Sequence, residues 1–353
     1  MSGGKVVCYY GSWATYREGR GHFDVDFINP HLCTHLIYSF VGLNRDGTIK
    51  IIDEWNDINL GAIAKFNNLK SRNPELKTLV AIGGWNEGSE VFSYVASNEH
   101  MTEKFVNNAI AFMEKYGFDG FDLDWEYPVR RGGTSRDKEN FSKLLKIFRI
   151  NFDRTGRKYL LTAAVSATAG PALNKYLDFI NVMAYDFHGS YEKFTGQNAP
   201  LYPSHMDGVN KENCVVHFCH FKIILGVGAY GKTYTLSNEY NNGVGTAVKE
   251  DGCPGIFTKS PGTLGYYEIL DRIEEGNWTQ FWDQEQMVPY LHKHNQWIGY
   301  DNCKSIKLKV EYAMSKSLGG IMVWSIDTDD FRGFHGQSYP ILKQINATLH
   351  RAT

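Results

Sequence analysis

Short runs of apolar residues alternate along the chain with longer segments in which apolar residues recur every three or four positions. The runs are almost continuously apolar, which is typical of parallel strands buried on both faces, and the intervening segments have helical spacing. We predict eight strands, at residues 6–13, 34–40, 78–84, 118–126, 159–167, 179–187, 222–230 and 319–326. Eight strands that alternate with helices predict an α/β fold of the (β/α)8 TIM-barrel type.

The helical pattern is clearest between the fourth and fifth predicted strands. Thr134 and Asp137 have the spacing of a capping box at the start of that helix. Its apolar side carries Phe141, Leu144, Leu145, Phe148 and Phe152. Two other connections, residues 166–177 and 211–221, are short for parallel crossovers, which normally take a dozen residues or more. These two connections support the barrel least.

A long segment separates the seventh and eighth predicted strands. Residues 231–318 far exceed the length of a normal crossover and are rich in Gly, Tyr, Thr and Asn. We therefore expect residues 1–231 and 301–353 to form the barrel, and residues 232–300 to form a small α+β insertion.

The fourth predicted strand contains the sequence DGFDLDWEYP, residues 119–128. Successive strand side chains point to opposite faces, so Asp122, Asp124 and Glu126 share one face, at roughly 6–7 Å for each two residues. Carboxyl groups this close in a shielded cavity cannot all ionise independently. The stretch therefore predicts a carboxylic acid that keeps its proton near neutral pH, whereas a solvated edge strand would mix basic and hydroxyl residues with the acids.

Other polar and aromatic residues fall where predicted strands end. Trp85 and Asn86 follow the third strand, Tyr185 and Asp186 end the sixth, and Trp324 ends the eighth. In a barrel of this type the C-terminal ends of the strands form one face, and catalysis takes place there. We expect these side chains to converge with the carboxylates.

Composition describes an ordinary globular protein. Hydrophobic residues make up 42%, charged residues 22%, and the formal net charge is -2, which favours neither nucleic acid nor a membrane surface as a partner. Neither an apolar run that could span a bilayer nor a leader pattern at the first residues is visible. Six Cys favour an extracellular setting, as do the sequons at Asn277 and Asn346, where we predict glycans.

Two other motifs indicate different chemistry. The stretch from Gly226 to Thr233 matches both GxxxxGK[ST] and GxGxxG, which hold phosphates only where a helix begins. The residues that follow are β-branched, aromatic and interrupted by Gly, so we predict a strand and a turn there and no nucleotide. A second cluster could supply four zinc ligands within seven residues, a spacing too tight for one ion: Cys214, His217, Cys219 and His220. We expect neither a metal nor a cofactor.

The carboxylate stretch resembles the DxxDxDxE signature of glycoside hydrolase family 18, the chitinase family, in its animal branch. The resemblance runs through most of the chain, since further segments stand in family order: CYYGSW, LCTHLIYSF, LVAIGGWN, NVMAYDFHGSYEK, GVGAYGKTYTL, GIFTK, GYYEI, NQWIGYD and LGGIMVWSIDTDDF. It implies a retaining enzyme that cleaves β-1,4 bonds between N-acetylglucosamine units through an oxazolinium intermediate. The implied partners are chitin or its oligosaccharides, and we expect a secreted monomer.

The resemblance also implies roles for individual residues. Glu126 is the general acid, Asp124 holds the substrate's acetamido group, Asp122 modulates Asp124, and Tyr185 bonds the acetamido carbonyl. The implied substrate-binding residues are Tyr9, Trp13, Phe40, Trp85, Asn86, Tyr127, Met183, Asp186, Tyr191, Tyr230, Lys232 and Trp324.

The chain departs from the family pattern at several positions. Lys232 stands where animal chitinases usually have Arg, Tyr191 where they have Trp, and Ser260 where they have an acid. Two disulfides are frequent in the family. The resemblance implies that the first is present as Cys8 with Cys33, whereas Leu270 and Gly336 occupy the positions of the second pair. These departures leave open an alternative, a chitinase-like lectin that binds chito-oligosaccharides without cleaving them.

Overall fold

The computed structural model describes residues 4–167, 171–205, 213–216 and 220–350. The strands of these residues are β1 (Lys5–Gly11), β2 (His35–Leu43), β3 (Ile49–Lys50), β4 (Lys77–Gly83), β5 (Gly120–Asp124), β6 (Leu160–Ser166), β7 (Phe179–Met183), β8 (Ile223–Gly228), β9 (Tyr230–Leu236), β10 (Val248–Asp251), β11 (Thr263–Gly265), β12 (Thr279–Asp283), β13 (Val288–Lys293), β14 (Gln296–Tyr300) and β15 (Gly320–Trp324). The α-helices are α1 (Ala62–Asn68), α2 (Glu90–Ser97), α3 (Glu99–Tyr116), α4 (Asp137–Arg154), α5 (Tyr266–Glu274), α6 (Cys303–Ser315) and α7 (Pro340–Thr348).

Eight parallel strands close into a barrel in the order β1, β15, β8, β7, β6, β5, β4 and β2, and β2 pairs with β1 to complete the circle. The TIM-barrel prediction is confirmed. Several predicted strands extend too far, however. Strand β1 ends at Gly11 instead of residue 13, β5 at Asp124 instead of residue 126, and β7 at Met183 instead of residue 187. The first residue beyond each end, Ser12, Trp125 and Ala184, is still buried although the backbone has left the ladder, so burial extends the apolar pattern past the strand.

Alternation along the strands divides the core into two layers. Val7 and Tyr9 join a cluster inside the barrel, whereas Val6, Cys8 and Tyr10 join the larger cluster between the strands and the surrounding helices. Both clusters exclude water from the strands. The near-continuous apolar runs in the sequence follow from this double burial.

Helix α4 begins at Asp137 and buries the five predicted apolar residues. Only half of the predicted capping box forms. The Asp137 carboxylate accepts the backbone N–H of Thr134 at 2.8 Å, but the Thr134 hydroxyl donates to the same carboxylate instead of capping the helix. The carboxylate thereby joins the start of α4 to the loop that precedes it.

In their described residues, the two short connections contain little helix. A 3-10 helix, Pro171–Lys175, lies between β6 and β7. Among the described residues between β7 and β8, numbers 184–205, 213–216 and 220–222, there is no α-helix. Val215 and Leu201 are buried in the outer core layer instead, and the N–H of Val215 donates to the Pro200 carbonyl at 3.0 Å. The described residues of this connection thus cover the barrel without an α-helix, and the ring closes.

The segment between β8 and β15 contains a second, antiparallel sheet. Its strand order is β10, β9, β14, β13 and β12, with β11 also paired to β9, and α5 follows β11. This sheet is the insertion that the sequence predicted. The division at residues 232–300 stays a prediction.

A disulfide joins Cys8 on β1 to Cys33, with the two Cα atoms 6.1 Å apart. Asn277 is exposed, whereas Asn346 is fully buried on α7, where its amide donates to the carbonyls of Leu32 and Leu342. The predicted glycan on Asn346 is therefore wrong for this fold, because the amide nitrogen that would carry the sugar is buried and bonded. In the described ranges, no helix combines the length and hydrophobicity needed to cross a bilayer.

Candidate active site

Strand β5 points its carboxylates into the barrel. Asp122 and Asp124 are buried at its C-terminal end, and the alternate residues Phe121, Leu123 and Trp125 lie in the outer core layer. The chain leaves the barrel ladder after Asp124, so Glu126 lies just past the strand, half-buried above the two aspartates. Period-two alternation thus separates the acidic face from the apolar face, as the sequence predicted.

Asp122 accepts hydrogen bonds from the neighbouring strand β6 and, across the barrel, from β1. The Tyr9 hydroxyl on β1 and the Thr162 hydroxyl on β6 each donate to it at 2.5 Å. The Asn181 amide on β7 donates in turn to the Tyr9 oxygen at 3.1 Å. These donors stabilise the ionised form of Asp122 inside an otherwise apolar barrel.

Asp124 has fewer donors than Asp122. Its carboxylate accepts the Ala164 N–H at 3.1 Å. Burial raises the pKa of Asp124, and the neighbouring charges of Asp122 and Glu126 raise it further. Burial also raises the pKa of Asp122, whereas the hydrogen bonds to its carboxylate lower it. The two carboxyl groups therefore share a proton, and Asp122, with more donors, is the one that ionises first.

Glu126 is poised to hold a proton near neutrality. Burial raises its pKa to about 7, and Asp186 acts in the same direction. A hydrogen bond from Tyr127 and the positive charge of Arg131 act in the opposite direction. An accessible carboxylic acid with this pKa can serve as a general acid.

An aromatic cluster lies on one side of the cleft. The ring of Trp324 is 5.8 Å from that of Phe40, 6.1 Å from that of Trp13 and 5.4 Å from that of Tyr9. Gly84, with φ of +80°, permits this packing, because a Cβ there would come within 2.6 Å of the Phe40 ring. Trp13 remains 43% exposed, so the cluster presents apolar ring surface to a ligand.

The loop after β7 and strand β9 form another wall. Asp186, with φ of +56°, accepts hydrogen bonds from the Tyr230 hydroxyl at 2.7 Å and from Lys232 Nζ at 2.8 Å. Tyr185 is buried next to them, its hydroxyl 3.8 Å from the Met322 sulfur. The ammonium group of Lys232 thus binds one oxygen of the Asp186 carboxylate, whereas the planar guanidinium of an Arg could bind both.

The remaining predicted residues take different positions in the structure. Met183 packs against the inner barrel cluster, and Tyr127 is half-buried next to Glu126. Asn86 is exposed beside Trp85, and Tyr191 is 75% exposed on the loop after β7. A cavity of about 490 Å³ extends from Trp324 and Lys232 to Ser260, the position where the family has an acid.

Three residues of the site were not predicted from the sequence. Thr162 donates to Asp122, and Asn181 donates to the Tyr9 hydroxyl that bonds Asp122. Arg131 donates to the backbone carbonyls of Trp85 and Glu126. A signal for the first two exists, since each is a polar residue at an inward position of an apolar strand. Arg131 carries no such signal, because it lies in a loop with other arginines.

The two competing motifs take other structures. Between Gly226 and Thr233, all of which are described, the chain continues from β8 into β9, and no helix begins that could direct its N-terminus at a phosphate. Of the proposed zinc ligands, His217 and Cys219 lie outside the described residues. Within the described ranges, no group of three or more His, Cys, Asp or Glu is placed to hold a metal.

Comparison with known proteins gives the family. The family model "Glycosyl hydrolases family 18" matches residues 5–329. Chitotriosidase-1 of Mus musculus is 38% identical over 374 residues, 99% of this chain and 79% of the mouse protein. The Group IV chitinase of Ostrinia furnacalis superposes with a TM-score of 0.95 at 41% identity, covering 99% of this chain and 100% of that one. Human YKL-39, described as a pseudo-chitinase with retained chitooligosaccharide binding, superposes with a TM-score of 0.91 at 34% identity. The match covers 98% of this chain and 100% of YKL-39. The chain therefore belongs to glycosyl hydrolase family 18, in the branch of the animal chitinases.

Proposed function

We propose that this protein is a chitinase that cleaves β-1,4 bonds between N-acetylglucosamine units with retention of configuration. The observation that carries the proposal is the stack of carboxyl groups at the end of β5. A buried pair, Asp122 and Asp124, lies beneath Glu126, whose pKa is raised to about 7 by burial. This arrangement supplies both the negative charge and the proton that the reaction needs.

The acetamido group of the substrate acts as the nucleophile. Its carbonyl oxygen attacks the anomeric carbon while Glu126 gives its proton to the oxygen that leaves. Asp124 bonds the acetamido N–H and stabilises the positive charge that develops on the oxazolinium ring, and Tyr185 orients the carbonyl. Glu126, now ionised, then takes a proton from the water that opens the ring. Two displacements at one carbon return the original β configuration.

Asp122 acts through Asp124. Tyr9 and Thr162 donate to Asp122 and hold its carboxyl group in place. When the acetamido N–H arrives, it stabilises the ionised form of Asp124, and the shared proton moves to Asp122. Asp122 is thus a positioning residue that sets the charge of its neighbour.

The walls of the cleft bind the sugar chain. Trp324 forms the floor under the sugar at the point of cleavage, and Asp186 bonds a sugar hydroxyl. The further binding residues proposed are Tyr9, Trp13, Phe40, Trp85, Asn86, Tyr127, Met183, Tyr191, Tyr230 and Lys232.

A chitinase-like lectin is the second candidate. It is favoured by the similarity to human YKL-39, a protein described as a pseudo-chitinase, and by the changes at Lys232, Tyr191 and Ser260. Glu126 argues for the enzyme, since a binding module has no use for a buried acid with a raised pKa.

One experiment separates the two candidates. The protein is incubated with a chito-oligosaccharide, and the products and their first-formed anomer are followed. The enzyme releases shorter oligomers that carry the β-anomer. Binding without any product supports the lectin, and a first-formed α-anomer contradicts the substrate-assisted mechanism.

We further propose an extracellular site of action and a glycan on Asn277. The Cys8–Cys33 disulfide supports the first, because disulfides persist in oxidising compartments. The exposure of Asn277 supports the second. Mass spectrometry of the secreted protein with and without glycosidase treatment tests both.

A further inference from the structure

Arg131 covers one face of Trp85 at the rim of the cleft. The central carbon of the guanidinium lies 3.7 Å from the centre of the indole ring. Its Nη1 donates to the backbone carbonyl of Trp85 and, at 3.3 Å, to that of Glu126. Arg131 therefore ties the loop after β4 to the loop after β5, and its guanidinium is held in place from two sides.

This side chain lies on the outer side of the general acid. Asp124 is buried, Glu126 above it is half-buried, and Arg131 is exposed. In the proposed reaction the sugar that is attacked lies over Asp124, and Glu126 protonates the oxygen that joins it to the next sugar. The residue on the outer side of Glu126 consequently borders the leaving sugar.

Arg131 retains N–H donors that the protein does not use, although its charge also lowers the pKa of Glu126. Its Nε and Nη2 donate to no acceptor in the described ranges, and none of the carboxylates described there forms an ion pair with it. Asp186, the carboxylate on the loop after β7, is already bound by Tyr230 and Lys232. A guanidinium stacked on an aromatic ring has weakly hydrated faces and directs its N–H groups outward in the ring plane.

We propose that Arg131 determines specificity on the leaving-group side of the cleft, where it selects an N-acetylated sugar over a cationic glucosamine. The inference rests on the proposed hydrolase function. The spare N–H groups bond the acetamido carbonyl oxygen of the leaving sugar, and the positive charge repels the ammonium group of glucosamine. Trp85 holds the guanidinium in the plane that this contact needs.

Partially N-acetylated chitosan tests the inference, because each cut reports two sugars. The new reducing end was the sugar over Asp124, and the new non-reducing end was the sugar beside Arg131. Hydrolysis at about pH 5 keeps both the sugar amine and Glu126 protonated. The identity of both ends is then determined by mass spectrometry of labelled products.

The wild type is expected to enrich N-acetylglucosamine at both new ends. Arg131→Ala lowers the enrichment at the new non-reducing end by about threefold, the effect of a partly exposed charge, and leaves the reducing end unchanged. Arg131→Lys keeps the positive charge that repels glucosamine but lacks the planar N–H donors. It is therefore expected to show an enrichment between those of Arg131→Ala and the wild type. Arg130→Ala, a neighbouring exposed arginine, keeps the wild-type pattern and serves as the matched control.

The outcomes separate the two proposals. A wild type that cuts nothing, or that leaves glucosamine freely at new reducing ends, overturns the proposed function. A wild type that cuts correctly but whose non-reducing ends are unaffected by Arg131→Ala overturns only the inference. A loss of enrichment at both ends together also overturns it, because Arg131 then supports the whole cleft rather than one side.

Discussion

Glu126 and the aspartates beneath it differ in their surroundings although they alternate along one stretch, β5 and the residues just after it. Asp122 has two hydroxyl donors, Asp124 has one backbone N–H, and Glu126 lies near Tyr127 and the charge of Arg131. Burial raises the pKa of all three. At the residue scale, the donors and charges around each carboxyl group thus change its tendency to hold a proton.

Replacement of Glu126 by Gln is expected to abolish turnover and leave oligosaccharide binding largely intact. The amide keeps the shape of the acid but has no proton to give, and loss of a general acid costs about 10²–10⁴-fold in rate. Turnover of a chito-oligosaccharide and calorimetric titration measure the two effects. Glu87→Gln is the control, since Glu87 lies outside the carboxylate stack. Retention of more than about a tenth of the rate would exclude Glu126 as the acid.

The pH dependence of kcat/KM should have its alkaline limb near pH 7. Glu126 acts in its protonated form, and burial raises its pKa to about 7, so activity falls as pH rises through that value. The limb should fall about tenfold per pH unit. Initial rates on a chito-oligosaccharide with a neutral leaving group give the profile. A profile that stays flat to about pH 9 is incompatible with this acid.

At the scale of elements, the loop after β5 is held by buried anchors at both ends. The Trp125 indole donates to Ser89 Oγ at 2.8 Å, and Ser89 donates to the Tyr127 carbonyl at 2.7 Å. At the other end, Asp137 accepts the N–H groups of Val129 and Thr134. The loop that carries Glu126 and Arg131 is therefore fixed to α2 and α4.

Asp137→Ala is expected to lower the free energy of unfolding by about 1–3 kcal/mol for each donor left unsatisfied. The fully buried carboxylate also accepts the Ser93 hydroxyl, so several donors lose their acceptor at once. Denaturant unfolding measures the effect. Glu139→Ala is the control, because its exposed ion pair with Lys143 contributes little. Equal stability of the two variants would show that the anchor is dispensable.

At the scale of the whole molecule, closure depends on contacts between distant parts of the chain. β1 pairs with β15 on one side and with β2 on the other, so the ring joins the first strand to the last. The disulfide between Cys8 and Cys33 ties β1 to the segment that leads into β2. The first strand is thus held by backbone pairing and by a covalent bond.

Removal of this disulfide should destabilise the barrel. The bond closes a loop with a sequence separation of 25 residues, and chain entropy predicts a loss of about 3 kcal/mol. The double variant Cys8→Ala, Cys33→Ala is compared with the wild type by its denaturant midpoint. Cys253→Ala, an exposed cysteine of the insertion, is the control. An unchanged midpoint in the double variant would contradict a stabilising role.

The sequence by itself determined the features that depend on local periodicity. Eight apolar runs gave eight barrel strands, because burial on both faces forces such runs. Alternation placed Asp122 and Asp124 opposite Phe121 and Leu123, because the side-chain period of a strand is two. The resemblance to family 18 followed from the same stretch and is confirmed.

Only the tertiary structure decided which residues meet across the chain. Tyr9 reaches Asp122 over a separation of 113 residues, and Arg131 reaches Trp85 over 46. It also decided that Asn346 is buried and that the described residues between β7 and β8 contain no α-helix. Such contacts depend on how the strands and loops are brought together when the ring closes. The periodicity of one segment reflects only its own burial, so it does not predict that arrangement.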